Sequence, residues 1–186
     1  MVRLRLALTI VGVLFAASAA AQPGLYTGML TAHIGAAAGG GVGGTSVTPG
    51  ASMSVTDGNG VGAELDIGNT HDIDDAQFLS SDVTSFTVNA LGMWPKSWVR
   101  PFVVAGVGLL RVRAELADTN LDDNRTDWAF DVGGGVLFML NDIFGVRGDV
   151  RYFRYMQRQI DLPVGHDGPF DYWRTSIGFT YAWPIR

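Results

Sequence analysis

Cysteine is absent from the chain of 186 residues, which excludes disulfide scaffolds, thiolate nucleophiles, Cys-ligated zinc and redox dithiols together. Charge is scarce as well, and its balance is acidic: 13 Lys and Arg stand against 18 Asp and Glu. Such a composition has no source for a basic face broad enough to hold nucleic acid, so no nucleic-acid partner is expected. Apolar helical stripes are also missing, because from Leu25 onward no window keeps a 3.6-residue period for three turns. The 25 glycines follow no three-residue repeat, which removes collagen and leaves turns and close backbone contacts as their uses.

What is present begins with an address. Arg3 and Arg5 precede the apolar stretch LALTIVGVLFAA, which ends in the small residues ASAAAQ. That stretch falls short of the roughly 20 apolar residues a membrane helix needs. Residues 1–21 therefore read as a cleavable secretory signal and residues 22–186 as one exported domain. Without Arg3 and Arg5 that domain is more acidic still.

Along the exported domain the period is two. Trp173, Thr175, Ile177, Phe179, Tyr181 and Trp183 fall on one face of the C-terminal segment, opposite Tyr172, Arg174, Ser176, Gly178, Thr180 and Ala182. Phe144, Val146, Val150 and Tyr152 likewise oppose Arg147, Asp149 and Arg151, while Trp128, Phe130, Val132, Val136 and Phe138 oppose Asp127, Asp131 and small residues. Alternation of this kind predicts an all-β fold. Turn signals divide the domain into eight strands at about 25–38, 49–57, 61–70, 84–94, 100–114, 126–139, 143–156 and 170–183. The connections alternate between tight ones (57–60, 95–99, 140–142) and long polar ones (39–48, 71–83, 115–125, 157–169), so short turns gather at one end and long loops at the other.

An even number of strands about ten residues long, with loops sorted by length, is the pattern of an eight-stranded antiparallel up-and-down transmembrane β-barrel in an outer membrane. Aromatics add to it. Trp94, Trp98, Phe102, Phe138, Phe144 and Trp183 lie near the short turns, and Trp128, Tyr152, Tyr155, Phe170 and Trp173 near the long loops, as two interfacial girdles require. In such a barrel the apolar faces meet lipid and the polar faces the lumen. Glu64, Asp66, Asp127, Asp131, Arg147, Asp149, Arg151 and Arg174 then become a lumenal charge network, expected to pair and plug an interior only about wide enough for side chains. Arg111 and Arg113 fit either face.

The stretches Arg100-Pro-Phe-Val-Val-Ala-Gly-Val-Gly-Leu-Leu-Arg111, Asp131-Val-Gly-Gly-Gly-Val136, Gly145-Val-Arg-Gly-Asp-Val-Arg-Tyr-Phe-Arg154 and Tyr172-Trp-Arg-Thr-Ser-Ile-Gly-Phe-Thr-Tyr181 resemble the small OmpA/OmpX-like outer membrane β-barrel proteins of Gram-negative bacteria. The resemblance spans the exported domain and implies the architecture, with no activity attached. It also implies outer membrane lipid and lipopolysaccharide as surroundings and the barrel-insertion machinery as a partner in assembly. The chain departs from the family in its ending: Trp183-Pro184-Ile185-Arg186 stands where an aromatic residue, often Phe, usually closes the chain.

Chemistry is sparse. His71 with Asp72, Ser80 and Ser81 can be drawn as a hydrolytic site, but no motif fixes their geometry, and the reading is of a non-enzyme without cofactor. Asp118-Thr-Asn120-Leu-Asp122 opens like a calcium loop, yet Asp123 and Ala129 occupy the positions of its glycine and closing acid, so no metal is assigned. The acidic loops (Asp72, Asp74, Asp75, Asp82, Glu115, Asp118, Asp122, Asp123, Asp161, Asp167) read as solvated, with divalent cations shared with lipopolysaccharide as a milder option. The expected role is structural or surface-interacting, with a ligand at the loops. Two alternatives stay open: a narrow channel for small or hydrophobic solutes, and a soluble periplasmic barrel that binds an apolar ligand, which would need Arg147, Asp149 and Arg151 outside in water.

Overall fold

The computed structural model describes residues 26–39, 42–70, 79–94, 97–116, 123–155 and 171–185. The alternating segments form β1 (Tyr26–Gly39), β2 (Val42–Thr56), β3 (Val61–Thr70), β4 (Leu79–Met93), β5 (Val99–Leu116), β6 (Asp123–Met139), β7 (Phe144–Tyr155) and β8 (Asp171–Ile185). Each strand pairs antiparallel with its neighbours in sequence, and β8 returns to β1, so the sheet is a closed eight-stranded barrel. The closing ladder runs from Tyr26 opposite Ile185 to Ala38 opposite Trp173. The strand thus continues past Trp183 through Pro184 to Ile185. Among the described residues no helix is long and apolar enough to cross a membrane.

Several strands run further than turn residues alone suggested. The expected long connection over 39–48 is mostly strand, since β1 and β2 stay paired up to Gly39 opposite Val42 with a register shift after Ala37. The Gly-rich composition there disguised a two-faced ladder as a loop. β4 starts at Leu79, β5 reaches Leu116 and β6 starts at Asp123, which places Asp82, Glu115 and Asp123 in strands. The remaining acidic loop residues named above, and His71, lie outside the described residues.

The short turns are set by side chains that replace missing backbone partners. Asp57 Oδ1 accepts from the backbone N–H of Asn59 and of Val61, each at 2.9 Å. Gly60 completes that turn with φ of 86°, a left-handed conformation that costs glycine little and other residues more. At the 140–143 turn, Asn141 Oδ1 accepts from Ile143 N at 2.9 Å and Phe144 N at 2.8 Å.

Asn141→Ala removes both acceptors and should lower the stability of the detergent-refolded barrel by about 1–2 kcal/mol, at roughly 1 kcal/mol per hydrogen bond or less. Gly58→Ala, which would meet open space, should stay within about 0.5 kcal/mol. Urea unfolding of the two variants side by side checks the difference.

Candidate functional site

Closing a two-faced sheet sends one face of every strand inward and the other outward. The outward face is apolar along its length: Ile34, Val47, Val103, Phe179 and Ile177 are all exposed. Trp94 and Trp98 at the short-turn end are 66% and 70% exposed, and Trp173 at the other end is 54% exposed. Trp98 packs on Phe138 at 6.3 Å between centroids, Phe144 on Phe179 and Tyr181 at 5.4 and 5.7 Å, and Tyr181 stacks on Trp183 at 5.6 Å. At the opposite end Tyr152 lies 5.1 Å from Trp173 and donates its hydroxyl to Asp171 at 2.6 Å. Trp128 is exposed on the same outer face.

Phe102 departs from this arrangement. Grouped by position with the short-turn aromatics, it faces inward and is buried, because its even number puts it on the inner face of β5 beside Val104 and Leu110. Arg111, of open orientation in the sequence, is exposed on the outer face of β5.

The inward face is stacked in three layers. Toward the long connections lies an apolar cluster of Ala37, Val83, Leu110, Ala129, Phe153 and Tyr172. Toward the short turns lies a second, built around Met29, Leu91, Met93, Phe102, Val104 and Leu137. Between them sit the charges. Glu64 of β3 accepts from Arg147 Nη1 at 2.5 Å and from Arg151 Nη2 at 2.7 Å, both of β7. Asp66 of β3 accepts from Arg174 Nη2 of β8 at 2.7 Å and contacts His33 Nε2 of β1 at 3.2 Å. Asp149 lies 3.2 Å from Arg147 Nε and 3.4 Å from Arg151 Nε, and Ser176 Oγ donates to it at 2.9 Å. Asp131 of β6 is the looser member, 3.7 Å from Arg151 Nη1, which stands equally far from Asp66.

Strand number parity explains why these side chains meet. Glu64 and Asp66 are two apart on β3, and Arg147, Asp149 and Arg151 are two apart on β7, so each set shares a face and lies at adjacent heights along it. β3 and β7 are not ladder neighbours. Their ion pairs therefore cross the lumen, and the long arginine side chains make that reach. Arg147 also lies over the Phe102 ring at 4.1 Å and Arg174 over Phe153 at 5.0 Å, which ties the charged layer to each apolar one. Two glycines make room for it: a Cβ on Gly50 would overlap the His33 ring, and one on Gly68 would come within 2.5 Å of Arg174 Nη1.

Of the eight charges grouped by sequence, Glu64, Asp66, Asp131, Arg147, Asp149, Arg151 and Arg174 come together in this layer, all buried. Asp127 does not join them. It has the same inward parity but sits opposite Leu110 at the far end of β6, only half-buried, above the charged layer. His33 joins the layer through Asp66, a contact that the sequence pattern does not reveal; its odd-numbered position on β1, two residues from the buried Thr31, is the available signal. Among the described residues no cluster of His, Asp and Glu has the form of a metal site.

A family model described as "Outer membrane protein beta-barrel domain" matches residues 6–183. No curated protein matches the chain. Among solved structures, the N-terminal β-barrel domain of OprF from Pseudomonas aeruginosa is 13% identical, with TM-score 0.58, covering 84% of this chain and 97% of that one. Neisserial surface protein A is 15% identical, with TM-score 0.59 and coverages of 85% and 95%. Ail, the attachment invasion locus protein of Yersinia pestis, is 11% identical, with TM-score 0.60 and coverages of 86% and 99%. At such identities these likenesses speak for the fold, while the family match covers nearly the whole chain. With the closed barrel, its apolar outer wall and its charged interior in view, the chain belongs to the outer membrane protein β-barrel family and is a protein of the bacterial outer membrane.

Proposed function

We propose that this is a closed, non-catalytic barrel that contributes to the outer membrane structurally or by surface contacts through its long connections. Residues 1–21 act as its export signal, residues 22–186 form the barrel, and the insertion machinery assembles it among lipid and lipopolysaccharide. The carrying observation is the sealed stack of the lumen, in which a paired charge layer lies between two apolar clusters. Solutes crossing it would have to strip buried ion pairs of their partners, at several kcal/mol for each charge left alone. That cost favours a plug over a solute channel. The soluble-barrel reading loses support for a related reason: it needs Arg147, Asp149 and Arg151 in water, and all three are buried inside. An active site has little to build on, since His33 is engaged with Asp66 and no nucleophile is hydrogen-bonded to its ring among the described residues.

The plug reading makes two measurable statements. Liposomes containing the folded full chain should not swell in small sugars, and Asp149→Ala should not make them swell, because both apolar layers remain; swelling by the wild type would favour the channel. Glu64→Ala should cost about 3–5 kcal/mol, the range for removing one partner of a buried pair, because it takes the shortest carboxylate contact from Arg147 and Arg151 at once and leaves both to the longer contacts with Asp149. Asp127→Ala, outside the layer, should stay within about 0.5 kcal/mol. Urea unfolding in detergent micelles reads both, and equal losses for the two variants would count against the layer.

A further inference from the structure

Neither apolar cluster draws a residue from β2 or β3. From the long-connection end to the short-turn end, the inward side chains of β2 are Ser46, Thr48, Ser52, Ser54 and Thr56, all buried, with Gly50 at the midpoint. β3 beside them presents Thr70, Asp66 and Glu64, with Gly68 between Thr70 and Asp66 and Gly62 beyond Glu64. One wall of the lumen is thus hydrophilic from rim to rim, while the layers that seal the rest are built on the other six strands.

We infer that this wall carries a thread of water that conducts protons through the barrel, with His33 and Asp66 as its waist. The inference rests on the closed-interior reading and goes beyond it, since a plug that stops solutes need not stop protons. Two buried side chains point to the water. His33 Nδ1, and Nε and Nη1 of Arg174, are buried nitrogens without a hydrogen-bond partner. Both side chains lie against the wall's midpoint, the His33 ring over Gly50 and Arg174 Nη1 against Gly68. Burying such groups dry is unfavourable, and water is their remaining partner.

The spacing suits a relay. Successive inward residues on a strand are about 6–7 Å apart, roughly the span of one water held between two hydroxyls at hydrogen-bond distance. Thr48 Oγ1 and Thr70 Oγ1 join the two strands directly at 2.9 Å, and Thr31 Oγ1 and Thr180 Oγ1 form a second pair at 2.8 Å. A hydroxyl both donates and accepts, so each link takes a proton from one side as it releases one to the other. The His33 imidazole does the same, since one ring nitrogen donates while the other accepts. The charges that face it are Asp66 from β3, in direct contact, and Arg174 from β8, held through Asp66; β2 offers it only glycine and hydroxyls, and β8 places Gly178 opposite. Metal ions and sugars are stopped by the same three guanidiniums and apolar layers, because only the proton moves by exchange of bonds.

The test uses the folded full chain in liposomes that enclose a pH-sensitive dye and a labelled sugar, with a potassium diffusion potential set by valinomycin. The wild type should acidify the lumen faster than protein-free vesicles do while retaining the sugar. Ser52→Ala combined with Ser54→Ala should lose the excess rate, and Met29→Leu, within the apolar cluster, should keep it; the mobility shift of unboiled against boiled samples verifies that each variant is folded. A wild-type rate no higher than that of empty vesicles overturns the inference, and so does an undiminished rate in the folded serine double variant. Escape of the sugar through the wild type instead overturns the closed-interior reading, and the thread with it.

Discussion

A sheet can lie at hydrocarbon depth only if every backbone N–H and C=O finds a partner within the protein, because lipid offers none. For this chain the constraint is met by the ladder that joins β8 to β1 from Ile185 to Trp173. The rest follows from that closure. Once the sheet is a cylinder, the period-two alternation of its strands becomes a distinction between lipid and lumen. The apolar faces of β5 to β8 then need no core to bury them, and the inward charges of β3, β6, β7 and β8 have only one another and the His33 ring. The short turns serve the same end, since Asp57 and Asn141 supply acceptors to backbone N–H groups where the ladders stop.

Bringing ionised groups into so narrow an interior is unfavourable unless attraction and hydrogen bonds offset their lost hydration. Glu64 receives two guanidiniums, Asp66 receives Arg174 and the His33 ring, and Asp149 receives two guanidiniums and Ser176. Four carboxylates against three arginines leave one acid with weaker support. Asp131 is that acid: neither of its oxygens accepts a hydrogen bond, and its arginine contact is long. The apolar layers above and below keep this arrangement from being opened by bulk water on most of its circumference. On the β2–β3 side, hydroxyls replace them.

Much of this was legible in the residues because both barrel faces obey one simple period. Glu64 with Asp66, and Arg147 with Arg151, are assigned to the lumen by parity alone, and the outward placement of Trp94 and Trp173 follows from the same alternation, whereas Trp98 stands in the turn before β5, where the parity of that strand does not apply. Parity says nothing of height, and Asp127 shows the consequence: it shares the inner face with Asp131 but lies four residues nearer the strand's far end, opposite Leu110. Phe102 was grouped by its closeness to a turn, though its even position on β5 already assigned it inward. The extension of β1 and β2 through Gly39 and Val42 was hidden for a different reason. Glycines and serines read as loop when ladder partners are unknown, and pairing across a hairpin is a property of two segments together. The cross-lumen pairs between β3 and β7 depend on barrel closure, which no single window of sequence contains.

The absence of native cysteine makes the central claim, lipid outside and charge inside, directly measurable. Single replacements Thr175→Cys, Ser176→Cys, Ile177→Cys, Phe179→Cys and Thr180→Cys along β8 can carry a spin label in the folded full chain in bilayers. Collision with dissolved oxygen, which concentrates in lipid, should dominate at 175, 177 and 179, and should drop sharply at 176 and 180. Oxygen access that fails to alternate, or that peaks at 176 and 180, would contradict a barrel that turns its apolar face to the membrane.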